Sequence, residues 1–391
     1  MSPVGRRPMK PHDFCEHNEM VARLWRDFKA GRPTRVPAIF GIGTRYFLQS
    51  PELNQQRYTF RQYFADPAVQ WQVLLAFQKW VRENVPQDRE RGLPAEWHGL
   101  APDFQNVYEA SWLGCPIEFR EGEVPDTRPI LQEDKGKLAA MSLPDPEKDG
   151  LQGRAMEFFQ YFEERRQRED FAGRPVGKSQ FFAVGSDGPF TVACNLRGAT
   201  EMCLDLYEDP QFARELLDFI TEAILLRVKT VMKHNQTDYP KPGWGIADDC
   251  IQLLSGKTYR EFILPYHQRI YSTFSSGDSF MHICGKVQHL LPVLNKELGI
   301  QGFELGFPVN LAEARRTLGP EVLLMGNLHP QTLRAGPITK IQQETAEIIT
   351  SEAKLGRYIF CDGNNVAPGT PVAHLAAAYE TAVAWGNYEV K

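Results

Sequence analysis

The sequence has no uninterrupted apolar run of the roughly 18 residues that a membrane-spanning helix needs, so no membrane partner is expected. It has no basic block either. Its 44 Lys and Arg stand against 49 Asp and Glu, a formal charge of −5, which argues against nucleic acid and anionic membrane surfaces. The opening stretch MSPVGRRPMKPHDFCEHNEM lacks the apolar core of a signal peptide, and a cytoplasmic location is expected. Cysteine is sparse: 7 in 391 residues, scattered, which reads as free thiols and not as a disulfide framework. No G-x-G-x-x-G follows the first apolar run, which speaks against a nucleotide-binding open sheet. Internal repeats and low-complexity tracts are absent.

What the chain does have is alternation. Eight short apolar runs recur: RVPAIFG near 35, CPIEF near 115, SQFFAVG near 179, GWGIA near 243, SFMHIC near 279, IQGFELG near 300, EVLLMGN near 321 and RYIFCDG near 357. Between the later runs lie segments with apolar residues at helical spacing, such as DPQFARELLDFITEAILLRVKTVMKH and ITKIQQETAEIITSEAKLG. Repeated strand–helix alternation predicts an α/β fold with a parallel sheet and helical crossovers, closed as a (β/α)8 TIM barrel. An open doubly wound sheet is the competitor. Residues 1–34 read as a helical N-terminal extension, and 35–391 as the barrel domain. Long stretches at about 60–112 and 121–175 read as helical and loop insertions.

Barrel active sites lie at the C-terminal ends of the strands. Polar residues do follow the runs: Thr44, Arg45 and Tyr46; Ser186 and Asp187; Asp248 and Asp249; His282 and Cys284; Glu304; Asn327 and His329; Cys361, Asp362, Asn364 and Asn365. Strand ends meet polar loops in any protein, but that accounts poorly for an imidazole, two thiols and several carboxylates falling there together. His282 and Cys284, two apart on a strand, share a face. Cys361 follows 77 residues after Cys284. If the two strand ends meet across the mouth, one imidazole and two thiols make a three-ligand zinc site with its fourth position open, the arrangement of a catalytic metal. Soft sulfur favours zinc over magnesium or calcium. Asp248, Asp249 and Glu304 are the candidate catalytic carboxylates, to position substrate, accept a proton or complete the metal shell; Asp249 reads equally well as a helix N-cap. Arg45, Tyr46, Asp187, Asn327 and Asn364 are candidates for holding a small substrate. Tyr266 and His267 read as packing residues on a helix, and His329 as a structural or supporting residue.

Over roughly residues 30–388 the chain resembles the uroporphyrinogen decarboxylase superfamily. The likeness is carried, in order, by GPFTVACNLRGATEMCLDLYEDPQFARELLDFITEAI, IADDCIQLLSGKTYREFILPYHQRIY, MHICGKVQHLLPVL, GFELGFPVNLAEARRTLG, LLMGNLHPQTLRAGP and NNVAPGTPVAHLAAAYETA. The resemblance implies the same barrel. True decarboxylases of the family use no metal and carry M-R-Q-A-G-R-Y near the N-terminus; here FGIGTRYFLQSPEL keeps only Arg45 and Tyr46. The cobalamin-dependent methyltransferase branch carries H-x-C on one strand, a Cys on the last, and zinc, which His282, Cys284 and Cys361 match in type. In many of those enzymes the last Cys directly precedes a G-x-x-P-x-T-P turn, a place that Asn364 takes here. Either Cys361 ligates through a shifted loop, which is the favoured reading, or the site is two ligands plus carboxylates such as Asp248, Glu304 or Asp362. The resemblance thus implies a zinc-dependent methyltransferase or demethylase, with decarboxylation of a tetrapyrrole or other carboxylated substrate, and no cofactor, as the alternative. No segment carries the D-x-H-x-x-G of a cobalamin domain, so the cobalamin is expected on a separate corrinoid protein. A homodimer is compatible with this reading, and the residues do not fix the oligomeric state.

Overall fold

The computed structural model describes residues 13–388. Of the expected N-terminal extension, residues 1–12 lie outside the described part, and Asp13–Lys29 forms a helix, α1. Seven strands follow: β1 (Ile117–Glu118), β2 (Asp126–Thr127), β3 (Gly245–Ala247), β4 (Phe280–Ile283), β5 (Gly302–Leu305), β6 (Leu323–Leu328) and β7 (Tyr358–Asp362). The last five make one parallel sheet in sequential order, β3-β4-β5-β6-β7. Helices cross over between them, as parallel neighbours require.

Extended chain continues this sheet at both edges. Beside β7, Ile39 N–H donates to Phe360 C=O at 3.0 Å and Phe360 N–H to Pro37 C=O at 2.9 Å. Beside β3, Ala247 N–H donates to Ser186 C=O at 2.9 Å. The segment 176–186 in turn pairs with 97–100 through a parallel Trp97–Val176 bridge and a 2.8 Å bond from Gln180 N–H to Leu100 C=O. With 36–40 these segments supply the remaining staves of an eight-stave (β/α) barrel. The second stave is therefore 97–100, inside a stretch that the pattern assigned to decoration. The run CPIEF, read as a barrel strand, instead forms the small antiparallel β1–β2 pair. Its apolar residues look like a stave, but Gly122 and Pro125 turn the chain straight back on itself.

The two faces of the sheet are chemically distinct. In a parallel ladder, register partners point the same way. Met281, Phe303 and Leu324 lie on the outer face, under the helices, in the main core. His282, Glu304, Met325 and Ile359 are partners across β4 to β7 and face the lumen. Ile39, Ile359 and Cys361 form a small lumen cluster, with Trp25 and Phe28 of α1 packed on it.

Staves 36–40 and 97–100 share no ladder. The seam between them is spanned by residues 85–88, where Asp88 N–H donates to Ala38 C=O at 2.8 Å. Asp88 is fully buried, and its carboxylate accepts from the two terminal guanidinium nitrogens of Arg35 at 2.6 Å, from Ala38 N–H at 2.7 Å and from Tyr379 O–H at 2.9 Å. A cavity of about 720 Å³ opens at this seam, lined by Trp25, Ile39, Val81, Arg89 and His98 among others. We expect Arg35→Met to leave a buried, unpaired carboxylate at the seam and to cost about 3–5 kcal/mol, read as a lowered urea midpoint.

Candidate metal centre at the barrel mouth

The ends of β3, β4 and β5 bring four side chains together. His282 and Glu304 are register partners, and the imidazole Nδ1 lies 2.9 Å from a Glu304 oxygen. That bond turns Nε2 toward Cys284 Sγ, 3.3 Å away, and Asp249 Oδ1, 3.9 Å away. Asp249 opens the short 3-10 turn Asp249–Leu253 after β3, and its Oδ1 also accepts Cys284 N–H at 2.7 Å. One ligand atom from each of Asp249, His282 and Cys284 lies within 4.8 Å of the others. Ligands about 2.0–2.3 Å from a tetrahedral zinc stand roughly 3.3–3.8 Å apart, so this spacing fits. A carboxylate behind the imidazole is the usual support for a metal-bound histidine. The cradle also needs Gly306, where a Cβ would stand 2.6 Å from Cys284 Sγ.

The electrostatics favour a cation at this point. Burial disfavours charge on His282, but hydrogen bonds from the ring to Cys284 and Glu304 outweigh it and push the imidazole up to about 11. Burial raises the Asp249 carboxyl, with His282 pulling the other way, and burial likewise raises the Cys284 thiol. Anionic forms are crowded here, and protons hold the balance that a divalent cation would otherwise hold.

Cys361 stands outside this group. It faces the lumen, in register with Asn327, but is 3% exposed and packed with Ile39 and Ile359. Burial raises its thiol well above the usual range. Its side chain is taken up by the apolar cluster with Ile39 and Ile359, whereas Asp249 follows β3, the strand next to β4, and meets His282 and Cys284 directly.

Asp248 is a further correction. Its carboxylate is wholly buried and turned from the mouth, accepting Phe190 N–H at 3.1 Å, Thr191 N–H at 2.8 Å and Thr191 Oγ1–H at 2.7 Å, with His267 Nε2 at 3.0 Å. It caps the helix Pro189–Arg197 from another strand. Gly188, at φ +85°, lets the chains approach, since a Cβ there would meet the Asp248 side chain at 2.5 Å. His267 continues inward to Tyr259 O–H at 2.9 Å, a supporting role beyond packing.

Of the residues expected to hold substrate, two are occupied structurally. Tyr46 is buried against Trp80 and donates to Thr370 C=O at 2.6 Å. Asn327 donates to Val309 C=O at 2.7 Å and fixes the loop after β5. Asn364 is exposed and accepts from Asn365 at 3.1 Å. Arg45 is half-buried and donates to Asn106 Oδ1 at 3.3 Å, with no ion pair among the described residues; burial lowers its pKa, and Asp103 opposes that. The Asp187 carboxyl has no hydrogen bond or ion pair among the described residues, and burial, with Glu109 next, raises it well above the usual range.

The sequence reading missed the pair beneath Asp187. Glu109 accepts Asp187 N–H at 2.8 Å, Ser186 Oγ–H at 2.9 Å and Arg227 Nε–H at 3.0 Å, and Arg227 is fully buried. A signal existed: Arg227 continues the apolar stripe Ile220, Ile224, Val231 of its helix, where an arginine needs a buried partner.

An eight-stave barrel with titratable groups gathered at the C-terminal mouth is the architecture of barrel enzymes. The comparisons agree. The family model for uroporphyrinogen decarboxylase (URO-D) matches residues 103–385, and the chain belongs to that family. It is 28% identical over 279 residues to a methylated-thiol–coenzyme M methyltransferase of Methanosarcina mazei, covering 71% of this chain and 70% of the relative. It is 27% identical over 303 residues to a uroporphyrinogen decarboxylase of Salmonella heidelberg, covering 74% and 79%. Among solved structures, a methyltransferase from Methanosarcina mazei superposes with a TM-score of 0.66 at 19% identity, covering 93% of this chain and 98% of that one, which shows the shared fold.

Asp362 gives a pH test. Burial pushes its carboxyl up to about 7, against a 2.7 Å hydrogen bond from Gly41 N–H, and its Oδ2 is buried without a partner. The unfolded value is about 3.9. Between the two values the folded chain holds a proton that the unfolded chain has lost. Stability from this group is therefore full below about pH 4 and falls as pH rises through about 7, by up to about 4 kcal/mol. Urea titrations at about pH 5 and about pH 8 should show that fall in the wild type, and Asp362→Asn should flatten it.

Proposed function

We propose that this protein is a zinc-dependent methyltransferase, running in the methylating or demethylating direction, that works with a corrinoid carried on a separate protein. The observation that carries the reading is the group Asp249, His282 and Cys284 with Glu304 behind the imidazole. These three residues would hold the ion, which is the two-ligand-plus-carboxylate alternative and not the Cys361 one. Zinc, when bound, is a Lewis acid that makes a substrate thiol a better nucleophile or activates a methylated heteroatom. The name of the Methanosarcina relative supports a thiol or thioether as one exchange partner.

The chain's own residues do the rest. Glu304 fixes the imidazole ring and leaves Nε2 free to ligate. Asp249 orients Cys284 through its amide. Arg45, half-buried and without an ion pair among the described residues, offers a cation for an anionic part of the substrate. Asp187, without a hydrogen-bond partner for its carboxyl among the described residues, offers a site for a donor group or a proton.

A second reading, decarboxylation of a carboxylated substrate, is favoured by the decarboxylase relatives. Metal analysis separates the two. We expect the purified wild type to carry one zinc per chain, and His282→Ala and Cys284→Ser to lose it. Glu304→Gln should weaken zinc affinity about 10–100-fold. Cys361→Ser should keep it; loss of zinc in that variant would restore the Cys361 site. Methyl transfer from a methylated thiol to free cob(I)alamin, followed by the visible spectrum, should require the same three residues. Porphyrinogen turnover by metal-free protein would establish the second reading.

A further inference from the structure

The cavity at the seam has no part in the proposed chemistry. Its volume of about 720 Å³ is that of a site enclosing a small molecule. None of the residues placed at the metal centre lines it. Val21 and Trp25 of α1, Ile39 of the first stave, and Phe77 and Val81 of the helix Pro67–Asn84 give it an apolar wall. The chain 87–90 and His98 of the second stave close it. Charge in this wall cancels except at one place. Asp88 is neutralised by Arg35, and Glu90 faces Arg82 at 3.5 Å. Arg89 is exposed and lines the cavity, and its guanidinium has no hydrogen bond or ion pair among the described residues. Two amides stand with it. Gln87 is 2% exposed, and its Oε1 accepts Phe40 N–H at 3.1 Å, which leaves Nε2 a donor with no partner among the described residues. Gln78 Nε2 donates to His98 C=O at 3.3 Å, while its Oε1 is buried without a partner. A buried amide with half its capacity unmet is costly unless a bound molecule completes it.

We propose that the seam cavity binds a small monocarboxylate with an apolar body. The carboxylate takes the Arg89 guanidinium and Gln87 Nε2, and the body lies between Trp25, Ile39 and Val81. A guanidinium beside an amide N–H supplies the donors that two carboxylate oxygens accept. One unmatched cation suits one negative charge; a dianion would bring a second with no counterpart. Ile39 and His98 belong to the two staves that share no ladder, so an occupant touching both bridges the seam from within. Binding then favours the closed ring by mass action.

The probe is 3-phenylpropionate, titrated into the full-length protein by calorimetry beside its neutral amide, 3-phenylpropanamide. We expect one acid bound per chain, with the amide at least about tenfold weaker for want of a charge-assisted hydrogen bond. Arg89→Ala should bring the acid down to the level of the amide, and Val81→Trp, which fills the cavity, should remove both. If Val81→Trp does not fold, the exposed Arg89 remains the deciding position. Deuterium exchange should slow on binding in the peptide 85–98 and stay unchanged in 280–285. Arg45→Ala, at the mouth, should leave the acid's affinity as it is. Equal affinity for acid and amide, or an unchanged affinity in Arg89→Ala, overturns the proposal, as does the absence of binding by both calorimetry and thermal shift. Protection at 280–285 with loss of binding in Arg45→Ala places the acid at the mouth and overturns the seam site. No readout depends on a metal or on methyl transfer, so this proposal and the functional reading fail separately.

Discussion

The buried carboxylate of Asp248 is the constraint on which the mouth depends. It ties the N-terminus of the helix Pro189–Arg197 and the helix carrying His267 to the end of β3. A carboxylate with no exposure must have its acceptors filled, and here they are filled from two parts of the chain, Phe190–Thr191 and His267. Asp249 is the next residue, so its direction is set by the anchor before it. The same backbone that buries one carboxylate presents the other to the lumen. The side chains at the mouth are thus positioned by a group that is itself turned away from it, in keeping with the support that preorganised sites need.

Around that anchor, charge is distributed unevenly. Arg227 neutralises Glu109 out of solvent, and Arg35 neutralises Asp88 at the seam. Both cations are consumed by structure. Asp249 and Glu304 face the lumen beside the imidazole of His282, and Asp187 lies near them with Arg227 as the cation acting on it. A lumen so constituted suits positive charge, and the thiol of Cys284 among the oxygens would favour a softer ion than magnesium. Arg45 stands apart, on the short helix Thr44–Leu48. The mouth therefore offers a molecule two poles of opposite sign.

The barrel was legible because helical and strand periodicities alternate plainly after residue 179, where each run in fact becomes a stave. It was less legible before that point. The stave 97–100 reads WHGL, with a polar residue and a glycine, because backbone approach rather than side-chain packing decides it: a Cβ on Gly99 would stand 1.8 Å from Lys178 C=O. His282 and Cys284 were visible as a same-face pair. Asp249 was visible only as one of three carboxylates that could complete the shell, since a residue directly after another aspartate gives no sign of which one turns inward. Cys361 was read as a ligand because its strand end was expected to meet that of His282 across the mouth; its side chain instead packs with Ile39 and Ile359, outside the group Asp249, His282 and Cys284. Glu109 and Arg227, 118 residues apart, become partners only in three dimensions.

The knot at the seam has a consequence for how the molecule is made. Arg35 from the first stave and Tyr379 from the final helix both bind the one carboxylate of Asp88. Their contributions are separated by almost the whole length of the polypeptide, so the beginning of the barrel waits for its end. During synthesis the early stave emerges with an incompletely paired acid beside it, and the last helix brings the missing hydroxyl. Closure of the ring is a late, cooperative event, and any nascent chain that stops short of the final helix carries an unsealed edge.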